Sequence, residues 1–244
     1  MIWEKLLGAD IRTDAEKEIF SLRAFVLLLS VSVLLTVYRY YGTAPFFRQH
    51  LEALAGPGFP LFNYATYSFL TCFLLMLVVP ALIMKVGFKE SLAELGLSWG
   101  DWKLGLKSVA ILFPLIALLL ILPTSRQADF QSEYPLYREA GATLSLFIAY
   151  EASYGLYYLG WEFFFRGYML FGLRKHLGAV NAILVQTIPS TLMHIGKPDG
   201  EIFASILAGV VFGIIALRTR SIIYVFLLHW LIGTLLDVLI VYTL

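Results

Sequence analysis

Residues 222–244 read IIYVFLLHWLIGTLLDVLIVYTL, and His229 and Asp237 are the only acidic or basic side chains in that stretch. At ~1.5 Å of rise per residue, a helix of this length covers the ~30 Å hydrocarbon core of a bilayer. The run does not alternate between apolar and polar residues, so it is not a barrel strand. Six more runs resemble it: Leu22 to Tyr41, Tyr64 to Val86, Leu104 to Pro123, a long one from Leu144 to Leu173 that carries polar groups, Ala179 to His194, and Ile202 to Leu217. In lipid, backbone N–H and C=O groups must be satisfied within the segment, which leaves helices as the solution. The sequence therefore predicts an all-α integral membrane protein, a bundle of about seven transmembrane helices (six to eight) plus short interfacial helices. The range reflects the fourth run, which is long enough to hold an extra half-span.

Composition agrees with this reading. The 244 residues have a mean hydropathy of +0.79, with 59% apolar and 14% charged residues, whereas globular domains carry about 25% charged residues. A net charge of +1 without any basic block gives no reason to expect a nucleic-acid partner. Cys72, the one cysteine, lies inside an apolar run. It can form no internal disulfide, four-cysteine or CxxC site, and it reads as a small apolar residue. Met1 to Phe20 lacks the continuous apolar core of a cleavable signal. Ile2, Trp3, Leu6, Leu7 and Ile11 can share one helix face, which suggests an amphipathic segment on the membrane surface; a frayed terminus reads equally well. With no internal repeat or low-complexity tract, residues 1–244 form a single polytopic membrane domain.

Lys and Arg positions orient the bundle. With the N-terminus inside, the inner segments hold Lys5, Arg12, Lys17, Arg23, Lys85, Lys89, Lys103, Lys107, Arg174, Lys175, Arg218 and Arg220, and the outer ones only Arg39, Arg48, Arg126, Arg138 and Lys197. Tyr41 to Asn63, with Pro45, Pro57 and Pro60 among Phe46, Phe47 and Phe59, reads as an outer loop dipping into the headgroups. Lys89 to Leu97, with Leu92 and Leu95 and ending at Gly96, reads as an interfacial helix. The compact size and the absence of an organelle signal fit a prokaryotic plasma membrane. The chain ends Val-Tyr-Thr-Leu, so it carries no CAAX box of its own.

An ionisable side chain inside a span costs ~2.5–3.5 kcal/mol and needs a reason to be there. Such residues gather in the C-terminal half: Glu151, Glu162 and Arg166 on the fourth run, His194 at the end of the fifth, His229 and Asp237 on the seventh. Glu162 and Arg166, four apart, share a helix face and could simply neutralise each other. Glu151, three turns earlier, lies on the same face and reads better as a residue near the outer headgroups than as support for Glu162. His194 precedes Ile195-Gly196-Lys197-Pro198, a tight turn, and a histidine there is ordinarily an interfacial polar group. His229 lies deep enough in its span to need a hydrogen-bond partner, with Gly233 leaving space one turn on. One carboxylate and two histidines from three spans could activate water and hold an oxyanion, bind zinc, or relay protons or ions. The absence of an HExxH helix weakens the zinc reading.

At these residues the chain resembles the CPBP (CAAX protease and bacteriocin-processing, or Abi) family of intramembrane endopeptidases. Gly160-Trp161-Glu162-Phe163-Phe164-Phe165-Arg166-Gly167 is similar to its EExxxR motif, Ser190-Thr191-Leu192-Met193-His194 to FxxxH, and His229-Trp230-Leu231-Ile232-Gly233 to HxxxN or HxxxD. The resemblance covers roughly 144–241. It implies a catalytic core in which the first Glu and the second-motif His activate water while the third-motif His and Asn hold the oxyanion. Glu162, Arg166, His194 and His229 carry over. Trp161 stands in place of the first Glu, Ser190 in place of the Phe, and Gly233 in place of the Asn or Asp.

The resemblance thus implies a glutamic-type intramembrane endopeptidase. It would cleave a peptide or protein substrate, possibly lipidated, near the bilayer surface without a metal or other cofactor. Glu162 with His194 would serve as base, His229 as oxyanion donor, and Arg166 as the group organising Glu162. The three departures keep a second reading open, a catalytically degenerate relative acting as scaffold, immunity or chaperone-like factor. A transporter would call for broken helices and pseudo-symmetry, which the sequence does not display, and a metal-dependent hydrolase would lose activity to a chelator.

Overall fold

The computed structural model describes residues 21–54 and 63–243. The amphipathic segment expected over 1–20 and part of the Tyr41–Asn63 loop lie outside the described residues. Everything described is helix, turn or coil, and no strand occurs among these residues.

Seven long helical segments carry the fold. They are α1 (Leu22–Tyr41), α2 (Tyr64–Gly87), α3 (Trp102–Thr124), α4 (Leu144–Glu162, continuing as the π-helix Phe163–Phe171), α5 (Gly172–Leu192), α6 (Asp199–Thr219) and α7 (Ile223–Tyr242). Five of them, α1, α2, α3, α6 and α7, are long and apolar enough to cross a membrane. α4 and α5 are interrupted by polar side chains, among them Glu151, Glu162 and Arg166 on α4 and Arg174, Lys175 and Gln186 on α5. Short helices at Ala44–His50 and Ala128–Glu133 join the spans.

Local chemistry sets the helix starts. Ser21 accepts from the Ala24 amide, Asn63 from the Ala65 and Thr66 amides, Asp101 from the Leu104 amide and Thr143 from the Leu146 amide, each satisfying N–H groups that a helix start leaves bare. Prolines inside the spans are accommodated by widening: Pro80 is followed by the π turn Ile83–Gly87, and Pro114 by Ala117–Ile121. At Gly178 the backbone turns to φ 76°, a left-handed conformation that a side chain would resist. The kink divides the Gly172–Leu192 helix one residue before Ala179, from which the sequence expects the fifth run.

The core is built around α4. All nine residues of its π-helical end, Phe163–Phe171, are buried, while only 11% of the best apolar window of α3 is covered by protein. α3 is therefore a lipid-facing wall and α4 the central post. Gly160 lets α4 approach α2, since a Cβ there would lie 3.0 Å from Phe73 Cα and 3.2 Å from the Cys72 carbonyl oxygen. Neither backbone atom can swing aside. Gly160→Ala is accordingly expected to cost ~1–3 kcal/mol, read as a lower melting temperature of the purified protein in detergent. Cys72 itself is fully buried.

One local expectation changes. Lys89 to Leu97 forms a tight turn rather than an interfacial helix. Its amides bond three residues back, Glu94 to Ser91, Leu95 to Leu92 and Gly96 to Ala93, and Gly96 ends it at φ 83°. The Glu94 carboxylate accepts from both the Ser91 amide and hydroxyl, a local alternative to helix. The turn is held from outside, because Leu95 is fully buried and the Ile222 amide donates to the Gly96 carbonyl.

Candidate active site

The four sequence-predicted residues come from α4, α5 and α7. Glu162 ends the α-helical part of α4 and Arg166 lies on its π-helical part. Arg166 Nη1 donates to Glu162 Oε1 at 3.2 Å, and both side chains are almost wholly buried. His229 Nδ1 lies 2.6 Å from the same oxygen. Because the carboxylate is the acceptor, the ring carries its hydrogen on Nδ1 and turns Nε2 away. The structure thus joins Glu162, Arg166 and His229 through one oxygen. Glu162 Oε2 is sealed from solvent and without a hydrogen-bond partner.

His194 stands apart from this triad. It follows the last turn of α5, and its Nδ1 lies 2.7 Å from the Ser190 carbonyl oxygen. A carbonyl only accepts, so Nδ1 is again the N–H, and Nε2 keeps its lone pair. The indole of Trp161 meets the His194 ring edge-on, with centroids 5.3 Å apart. Trp161 is buried, and its Nε1 has no partner. Adjacent residues on a helix point ~100° apart. Glu162 accordingly faces α7 while Trp161 faces the end of α5, filling space beside His194 where the family motif carries a carboxylate. Both histidines are only partly buried.

The third-motif departure has its own physical account. A Cβ on Gly233 would collide with the Tyr158 hydroxyl, so glycine is required where that phenol fills the space of the absent side chain. The Tyr158 and His229 rings lie 4.6 Å apart, and Phe212 of α6 packs edge-on against His229 at 5.8 Å while lying under the Arg166 guanidinium. Tyr158 and Phe212 are site residues that the sequence reading passed over. Tyr158, one turn before Glu162 on the same face, was the available signal; Phe212 had none.

Glu151 departs from its expected headgroup position. It is buried between α4 and α7, where Thr234 Oγ1 donates to its Oε2 at 2.6 Å, and Asp237, fully buried, accepts from the Tyr150 hydroxyl at 3.1 Å. Glu162 against His229 and Glu151 against Thr234 also fix α4 and α7 as antiparallel neighbours. Among the described residues, no group of three or more His, Cys, Asp and Glu side chains is gathered closely enough to hold a metal ion.

Residues 142–235, which contain all four of these side chains, match the family model of the type II CAAX prenyl endopeptidase Rce1-like proteins. Over this segment the chain is similar to that family. The match takes in α4 to most of α7, and the three short motifs at 160–167, 190–194 and 229–233 lie within it. No similar protein was found among curated sequences or solved structures. The matched segment is a set of packed helices within a membrane protein, and its two histidines are less buried than the Glu162–Arg166 pair.

Proposed function

We propose that this protein is an intramembrane endopeptidase that hydrolyses a peptide bond near the bilayer surface, in the manner of the CAAX proteases. The observation that carries the reading is the His229–Glu162 contact at 2.6 Å, with the histidine ring held by a buried, charge-balanced carboxylate. Glu162 is fully buried and its Oε1 is already used twice. In this reading it positions His229, Arg166 balances its charge, and His194 Nε2, with its lone pair free, draws the proton from the attacking water. With a proton on Nε2 as well, His229 offers an N–H to the oxyanion that develops on the scissile carbonyl. The substrate is a peptide or protein, possibly lipidated; the membrane is read as a prokaryotic plasma membrane, and the Lys and Arg distribution supports an N-terminus on its inner side.

His194→Ala is expected to lower hydrolysis of an internally quenched peptide bearing a farnesylated cysteine ~10²–10⁴-fold. The variant should elute and melt like the native protein. EDTA is expected to leave the rate unchanged; loss with the chelator and recovery with zinc would overturn the metal-free mechanism.

A second reading has one observation in its favour. Trp161 occupies the position of the family's first carboxylate and packs against His194. A catalytically degenerate relative, acting as a scaffold, immunity or chaperone-like factor, would retain this packing and release no product at any pH.

A further inference from the structure

Tyr158 lies on α4 one turn before Glu162, and its hydroxyl reaches across to α7. A Cβ on Gly233 would collide with that hydroxyl and lie 2.8 Å from the Tyr158 Cζ. Glycine at 233 thus clears room for the phenol one turn beyond His229. The Tyr158 and His229 rings are 4.6 Å apart. A phenolic hydroxyl can donate as well as accept, and it keeps its hydrogen at neutral pH.

Glu162, Phe212 and Tyr158 pack against the His229 ring. The Glu162 carboxylate only accepts and Phe212 is apolar, so of these three the phenol is the donor. Other donors near by on α4 and α7 are committed. Trp230 Nε1 donates to the Glu151 carbonyl at 3.0 Å, Thr234 Oγ1 to Glu151 Oε2 at 2.6 Å, and Arg166 Nη1 to Glu162. Tyr154 is hydrogen-bonded to the Tyr158 hydroxyl, with the two rings 4.4 Å apart. With Tyr154 as the donor, that bond uses the Tyr158 oxygen and leaves its hydrogen to a third group. The His229 side chain beside it is 24% exposed, so a substrate carbonyl can reach this edge of the site.

We propose that Tyr158 is a catalytic residue of this site, donating its O–H to the oxyanion alongside the N–H of His229. The proposal rests on the endopeptidase reading above. Donors fixed in advance and aimed at the oxygen where charge develops lower the barrier, because they need no rearrangement as the reaction proceeds. Tyr158 is held in that way, between Gly233, His229 and Tyr154. His194 Nε2 takes a proton from the attacking water as the new C–O bond forms. The carbonyl π electrons move to the oxygen, which accepts from His229 Nε2 and from the Tyr158 hydroxyl. The phenol keeps its proton throughout. Collapse of the tetrahedral species breaks the C–N bond, and His194 returns the proton to the departing amine. Peptide and water are the only reactants.

The test compares native protein with Tyr158→Phe in detergent micelles on the quenched farnesylated peptide. The substitution removes one oxygen and keeps the ring that packs against His229, so the variant should melt like the native protein. It is expected to lower kcat ~10²–10³-fold, the cost of losing one oxyanion donor, and to leave KM within about threefold. A second readout follows binding alone. A phosphinate analogue of the same peptide carries a tetrahedral centre and a charged oxygen where the oxyanion would form. Its affinity should fall in Tyr158→Phe by about the factor by which kcat/KM falls. A Tyr158→Phe enzyme with a third or more of native kcat overturns the proposal, as does a phosphinate that binds both proteins equally. Either result, with native protein still cleaving, removes Tyr158 and leaves the endopeptidase reading standing. If the native protein cleaves nothing, that reading fails and the proposal falls with it.

Discussion

Replacing Glu162 with alanine is expected to destabilise the protein by ~3–5 kcal/mol, the cost of leaving one partner of a buried ion pair alone. Arg166 is 2% exposed; Nη1 rests on Glu162, Nη2 reaches only the Ala208 carbonyl at 3.5 Å, and Nε has no partner. Without the carboxylate, a guanidinium remains in the core of α4 with Phe212 as its main neighbour. Glu162→Gln keeps the volume and an acceptor oxygen but not the charge, so it should fall between native and alanine. Removing both charges, as Glu162→Gln with Arg166→Met, should return much of the lost stability, because an apolar replacement of a buried pair is often neutral or better. Melting of native protein, Glu162→Gln, Arg166→Met and the double variant in one detergent closes the cycle, with Glu162→Ala measured beside them. If Glu162→Ala melts with the native protein, the pair is not what holds this end of α4, and the account of Arg166 as its counter-charge fails.

The bundle was legible because a bilayer imposes one length and one polarity on whatever crosses it. The run at 222–244 announces α7 for that reason, and Tyr64 to Val86 lands within a residue of α2. Glu162 and Arg166 were legible as a pair from their spacing alone. Other features depend on tertiary context that spacing cannot encode. Lys89 to Leu97 has the apolar residues of a short helix, yet Ser91–Glu94 bonding and the insertion of Leu95 leave it a turn. Glu151 looked like a headgroup residue because nothing in the linear sequence says that Thr234, eighty-three positions later, will face it.

Trp161→Glu is expected to raise hydrolysis of the quenched farnesylated peptide at least ~10-fold over native protein. The substitution returns a carboxylate to the helix position that carries it in the family motif, beside His194. The change is not free of structural cost. Trp161 is buried, stacked on Tyr157 at 5.7 Å, angled against Phe165 at 4.9 Å and edge-on to His194 at 5.3 Å; losing a buried tryptophan costs ~3–5 kcal/mol. A lower melting temperature with a higher rate is therefore the expected combination, and it is one that a purely structural role for Trp161 cannot produce. Suppose instead that the variant remains monodisperse and still cleaves nothing. Then a carboxylate at this position does not support chemistry, the indole against His194 marks a site that packing has closed, and the non-catalytic reading takes precedence.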